Sequence, residues 1–286
     1  MTPTPTLPST TVRRIQARKM AFPFADGVPR HWFAGSVFAT QMANGLNLVF
    51  PLGERFFVRS VRHFADQIDD PQLQEDIRGF MGQEVRHGME HEHFFEVLEA
   101  QGFDVKRFLR IYERLAFGYI EPLTTPKLRL AATVALEHLT ASFAERAFAS
   151  GVLEKHVHPT MRDLLLWHAA EEIEHKAVAF DVLRKVAPSY GLRVAGLVVA
   201  TSTLVGFWML ATAMLLAQEK DLDFRRLAKE RREAKARGQL GLGDIARAFR
   251  TYLRRDFHPN DEDNAWMARS YFEKLAAAAT PVSAGA

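Results

Sequence analysis

The chain has 286 residues, with 37 Lys and Arg against 34 Asp and Glu, and a formal net charge of +3. Cysteine is absent, which excludes thiolate metal sites, disulfides and cysteine nucleophiles together and leaves nitrogen and oxygen as the only donors for a metal. The positive charge is small and dispersed, so no nucleic acid is expected as a partner.

The start of the chain is rich in Thr and Pro and has no apolar stretch before Arg13 and Arg14. Residues 1–20 are therefore expected to be a disordered tail rather than a signal peptide. Residues 12–35 carry basic and aromatic residues, including Arg13, Arg14, Arg18, Lys19, Phe22, Phe24, Trp32 and Phe33, which suit a segment packed over a helical body, with a membrane-surface anchor as the alternative. From about residue 36 to 68 the pattern is helical, with Pro51 as the expected break or restart. Glu54 lies there among Phe50, Leu52, Phe56, Phe57, Val58 and Val61. A carboxylate in such company needs a paired charge or a cation. Either Arg55 or Arg59, or a metal, would supply it.

After Asp69-Asp70-Pro71 a helix is expected over 72–101. Glu84 and His87 lie one turn apart on one face, with His91 a turn further on. His91 is open to three roles: a ligand, an outer hydrogen-bond partner, or a packed histidine. Glu90, Glu92 and His93 point elsewhere and are expected to be solvated. A helix over 104–120 ends at Glu121-Pro122, and the next runs over 126–150 to Gly151. It carries Glu137 with Thr140, Ala141 and Ala144 on its face, small residues that leave room for metal and substrate. Glu145 and His138 are weaker candidates. A last core helix over 159–186 places His168, Glu172 and His175 within one arc, with Glu171 and Glu174 outside it.

Residues 194–217 contain no charge and are long enough to cross a bilayer. Basic residues flank the run on both sides, so a single span would put one of these flanks outside. Three placements stay open: a helix buried on the bundle or a partner, a shallow membrane element, or a span. A charged helix over about 219–237 and a covering segment around Tyr252–His258 and Trp266 follow.

Two Glu-x-x-His motifs about ninety residues apart, each preceded by a lone glutamate on an earlier helix, match the arrangement by which ferritin-like bundles enclose two iron or manganese ions. The expected fold is all-α: a ferritin-like four-helix bundle over 21–190, a long apolar helix over 191–218, basic and covering helices over 219–270 and a tail over 271–286. The order Glu, Glu-x-x-His, Glu, His-x-x-x-Glu-x-x-His resembles that of the di-iron arylamine N-oxygenases. The wording Phe50-Pro51-Leu52-Gly53-Glu54-Arg55-Phe56-Phe57, with Gln83-Glu84-Val85-Arg86-His87 and Glu171-Glu172-Ile173-Glu174-His175-Lys176, resembles the bacterial family of predicted metal-dependent hydrolases, over roughly residues 20–265.

The expected metal ligands are Glu54, Glu84, His87, Glu137, His168, Glu172 and His175. Four carboxylates with two or three imidazoles suit two iron ions, with manganese or zinc also open. The leading expectation is dioxygen-dependent oxidation of a small apolar or aromatic molecule, a lipid included. Hydrolysis of an ester or phosphoester is the alternative, and a non-catalytic, membrane-associated metal protein the third. The expected location is cytoplasmic, with inner-membrane association and a homodimer both left open.

Overall fold

The computed structural model describes residues 15–220, 222–237 and 242–279. The tails expected at the two ends lie outside these residues over 1–14 and 280–286. Among the described residues the chain is an all-α bundle with no strand.

Helix α1, Val37–Arg62, starts at Ser36, whose side chain accepts a hydrogen bond from the Ala39 N–H. Pro51 does not break it. The ring removes one backbone N–H, yet α1 is clasped on both sides of that point, and α2, Pro71–Ala100, comes so near that a Cβ on Gly88 would lie 3.6 Å from the Pro51 Cα. Asp70 caps α2 by accepting from the Gln72 and Leu73 N–H groups. Helix α3, Val105–Tyr112, passes into π-helical turns over Glu113–Ile120, where an uninterrupted α-helix was expected. Helix α4, Pro126–Ser150, begins at a Thr125 cap and stops at Gly151, whose φ of 59° suits glycine.

Helices α5, Val152–His156, and α6, Pro159–His175, come next. The single helix expected over 159–186 is in fact two, because the chain turns directly after His175 before α7, Val178–Val186. Lys176 holds this joint, donating to the Glu262 carbonyl at 2.8 Å and the Asn264 side chain at 2.7 Å.

Helices α1, α2, α4 and α6 pack side by side. On α1 and α2, and along the chain from α6 into α7, the candidate ligands fall between residues of two separate apolar clusters. One contains Phe57, Phe80, Leu130 and Val178, the other Leu48, Phe94, Met161 and Trp167. The bundle thus carries a polar layer sandwiched between two dry ones.

Helix α8, Tyr190–Leu216, lies across α1 and α4. Two glycines set the closeness of this fit: a Cβ on Gly196 would sit 2.4 Å from the Ala131 carbonyl carbon, and one on Gly45 would sit 2.3 Å from Thr212 Oγ1. Gly196→Val is therefore expected to lower stability by about 1–3 kcal/mol, because backbone cannot yield as a side chain can. Thermal melting should show a loss of roughly 2–4 °C per kcal/mol.

Helices α9, Phe224–Ala236, α10, Leu242–Tyr252, and α11, Ala265–Ala279, cover α1, α4 and α6 respectively. Helix α11 continues to Ala279, into the stretch expected to be tail. Residues 15–20, also expected in a tail, pack against the bundle: Ile15 is buried, and Arg18 binds two glutamates of α6.

Candidate metal centre

The polar layer contains Glu54 from α1, Glu84 and His87 from α2, Glu137 from α4, and His168, Glu172 and His175 from α6, all buried. All seven residues singled out from the sequence meet here. They form overlapping groups whose ligand atoms lie within 4.8 Å of one another: Glu84, Glu137 and His175; Glu54, Glu84 and His87; His87, His168 and Glu172. Glu84 belongs to two of these groups. Glu172 Oε1 lies 2.9 Å from His168 Nε2, 3.6 Å from His175 Nε2 and 3.7 Å from His87 Nδ1.

Each imidazole is oriented by a partner on its outward nitrogen. His87 Nε2 lies 3.0 Å from Glu171 Oε2, and His175 Nδ1 lies 3.0 Å from Gln83 Oε1. The arrangement is reciprocal, since the residue just before each motif's glutamate holds the histidine of the other motif. Acceptors on the outside leave His87 Nδ1 and His175 Nε2 as lone pairs facing inward.

His168 is set by a longer chain. Asn47 donates from Nδ2 to the Ala43 carbonyl at 2.7 Å, which leaves its Oδ1 to accept from His91 Nδ1 at 2.7 Å. His91 Nε2 must then accept, and His168 Nδ1 donates to it at 2.7 Å. The His168 Nε2 lone pair is left directed at the Glu172 carboxylate. His91 therefore serves as an outer partner, one of the roles left open for it, with both nitrogens engaged.

Outside this layer, Gln83 donates to Glu174 and to the Gln16 carbonyl, and Arg18 binds Glu174 through both terminal nitrogens while reaching Glu171 at 2.9 Å. The Arg18 guanidinium also stacks over Phe272. Sequence reasoning missed Asn47, Gln83 and Arg18 in these roles. The available signal was a Gln or Glu immediately before each Glu-x-x-His. The weaker candidates lie elsewhere: His138 bonds the Ala248 carbonyl and Glu145 bonds Asn264. Glu90 is buried beside His93, not solvated as expected.

The fit to metal rests on the inward atoms themselves. Both oxygens of Glu54, Glu84 and Glu137, with His87 Nδ1 and His175 Nε2, are buried without a hydrogen bond. Buried polar atoms are almost always satisfied, so such a set converging on one place calls for cations. Without them the acids must hold protons. Burial, reinforced by the charge of Glu172, pushes Glu54 well above the usual carboxylate range, and burial beside Glu137 does the same to Glu84. Burial raises Glu137 to about 7 despite the opposing His175. For His175, burial opposes charge but the Glu137 and Glu172 carboxylates outweigh it and push its pKa well up. His87 is held well down by burial and by His168.

Gln83→Leu is expected to weaken metal affinity roughly 10–100-fold by releasing the His175 ring, without removing a ligand. Competition with a metallochromic chelator would measure it, with circular dichroism unchanged.

A cavity of about 510 Å³ opens against this centre, with Asn47, Phe50, Thr140, His168 and Glu172 on its inner wall and Ala234 and Ile245 of the covering helices on its outer one. Thr140 Oγ1 donates to Glu172 Oε2 and so fixes the carboxylate that faces the cavity.

Searches of curated proteins and of solved structures each gave no match. The family model described as predicted metal-dependent hydrolase matches residues 16–263. That stretch contains every residue of the polar layer and nearly all of the described helices, and on it the chain belongs to the predicted metal-dependent hydrolase family.

Proposed function

We propose that this chain is an enzyme with a dinuclear metal centre that hydrolyses an apolar ester or phosphoester held in the adjoining cavity. The observation that carries the reading is the set of buried, inward-facing carboxylate and imidazole atoms left without hydrogen bonds. Glu54, Glu84 and His87 would hold one ion, and Glu137, Glu172 and His175 the other, with His168 as a further ligand beside Glu172. Glu84 and Glu172 stand nearest to both sets and are the bridging candidates. When bound, two divalent ions supply Lewis-acid polarisation of a carbonyl or phosphoryl oxygen and a hydroxide nucleophile near neutral pH.

The chain's own residues do the rest. Phe50, Met42, Leu46, Leu139 and Phe143 line the cavity, bind an apolar group and limit water around it. Thr140 holds Glu172 in one orientation at the cavity wall, beside His168. The outer Gln83, Glu171 and Asn47–His91 contacts hold the three imidazoles in single tautomers.

Oxidation was the leading expectation from sequence; the family description moves hydrolysis ahead of it. One observation keeps oxidation as a second reading: the centre is rich in carboxylates placed between two sets of ligands, a donor set that suits iron.

Metal quantification on anaerobically purified protein, followed by two assays, tests both. About two ions per chain are expected. Turnover of a medium-chain acyl nitrophenyl ester or a nitrophenyl phosphodiester without oxygen uptake supports hydrolysis. Iron with an oxygen-dependent absorption band after reduction supports oxidation. Protein that retains no metal under these conditions overturns both readings.

A further inference from the structure

Helix α8 is apolar all round, yet only one of its faces is buried. The inner face is pinned to the bundle at backbone distance by Gly196 against Ala131 and by Thr212 against Gly45. The outer face, Ala195, Val198, Ser202, Val205, Met209 and Ala213, is exposed, uncharged and spaced at helical intervals, with Val198 at 61% and Val205 at 47% exposure. Beside it the π-helical turns and the loop after them expose Leu115, Tyr119, Ile120 and Leu123, the last at 86%. The two patches are continuous, because Ile120 and Phe117 share one cleft with Val199, Thr203 and Phe207 of α8. That cleft, about 90 Å³, ends on Glu54 and Thr140 at the metal centre.

We infer that this face docks on an anionic lipid bilayer, and that the cleft within it opens the centre to lipid-soluble substrate. Three observations choose a bilayer surface as the occupant. First, the pinned inner face prevents lipid from surrounding α8 while the bundle is folded, so the helix lies against a membrane and does not span it. Second, the segment over 104–127 that carries half of the patch exposes five basic residues, Lys106, Arg107, Arg110, Arg114 and Lys127, against two acids, Asp104 and Glu113. Apolar contact framed by Lys and Arg is the pattern of surface binding to anionic headgroups, each basic residue adding about 1 kcal/mol near the surface. Third, the cleft opens within the apolar patch and not beside it, so docking would bring its mouth to the acyl region. The substrate half of this inference rests on the proposed function; the docking half does not.

Flotation of the full chain with phosphatidylcholine vesicles, with and without about one-third phosphatidylglycerol, is the test, since basic residues should favour the anionic ones. The bound fraction is expected to be at least tenfold greater on the anionic vesicles. It should fall about tenfold in the double variant Leu123→Glu, Val205→Glu. Both side chains are exposed and remote from the ligands, so metal content and melting temperature should stay unchanged in that variant. Failure of the wild type to float on either vesicle, or equal flotation of the variant, overturns the inference. So does a wild-type dimer in size-exclusion chromatography that the double variant converts to monomer, which would make the face a contact between copies. Metal-free protein that still floats would leave docking intact while removing the proposed catalysis.

Discussion

His175→Ala is expected to leave the protein with about one metal ion or fewer per chain instead of about two, and to abolish turnover. The imidazole Nε2 lies 3.1 Å from Glu84 Oε1 and 3.3 Å from Glu137 Oε2, and no other nitrogen ligand belongs to that group. Removal takes the one imidazole out of that group and leaves two buried carboxylates facing each other. An uncompensated buried charge costs about 3–5 kcal/mol, so the variant should also melt earlier. Glu145→Gln is the matched control, because Glu145 bonds Asn264 away from the centre, and it should keep full metal content. Metal analysis by inductively coupled plasma emission decides the matter. Unchanged stoichiometry in the alanine variant would remove His175 from the ligand set and with it the pairing of the second motif with a metal.

The cluster of buried carboxylates and imidazoles was legible in the sequence because it depends on local geometry. Glu84 with His87, and Glu172 with His175, share a helical face by spacing alone, and Glu54 and Glu137 stood out as carboxylates among aromatic or small neighbours. The helix ends at Ser36, Asp70, Thr125 and Gly151 were equally local, fixed by capping side chains and a left-handed glycine. What was missed depends on partners distant in the chain. Arg18 looks like one basic residue in a Thr- and Pro-rich start until α6 presents Glu171 and Glu174 to it. The continuity of α1 through Pro51 comes from packing on either side, and the turn after His175 is anchored by a residue 86 positions further on. Helix α8 could not be placed from its sequence, since a run apolar on every side carries no sign of which face meets protein. The close fit of its Gly196 on Ala131 and of its Thr212 on Gly45 settles the inner face.

Stripping the metal should destabilise the protein far more than any single outer substitution, and the difference should grow with pH. If each ion is present at about a thousand times its dissociation constant, it adds about 4 kcal/mol to the folded state, so two contribute about 8 kcal/mol. At roughly 2–4 °C per kcal/mol, chelation should lower the melting temperature by about 15–30 °C. The pH dependence follows from the raised acids. In the metal-free fold Glu54 and Glu84 titrate well above the ordinary value of 4.5, and Glu137 at about 7. The folded state therefore holds more protons than the unfolded chain once pH exceeds that value, and stability declines as pH rises through the folded pKa values. His175, also raised, acts in the same direction: its contribution is full below 6.5 and fades as pH climbs through its folded value. Glu172 opposes them only at low pH, since its depressed value makes its contribution fall away in acid. In the loaded protein the ions replace those protons, so the same groups no longer titrate between pH 5 and 8. Melting curves of loaded and chelated protein across that range should therefore diverge toward the alkaline side. Parallel curves would mean that the buried carboxylates are satisfied by something other than metal.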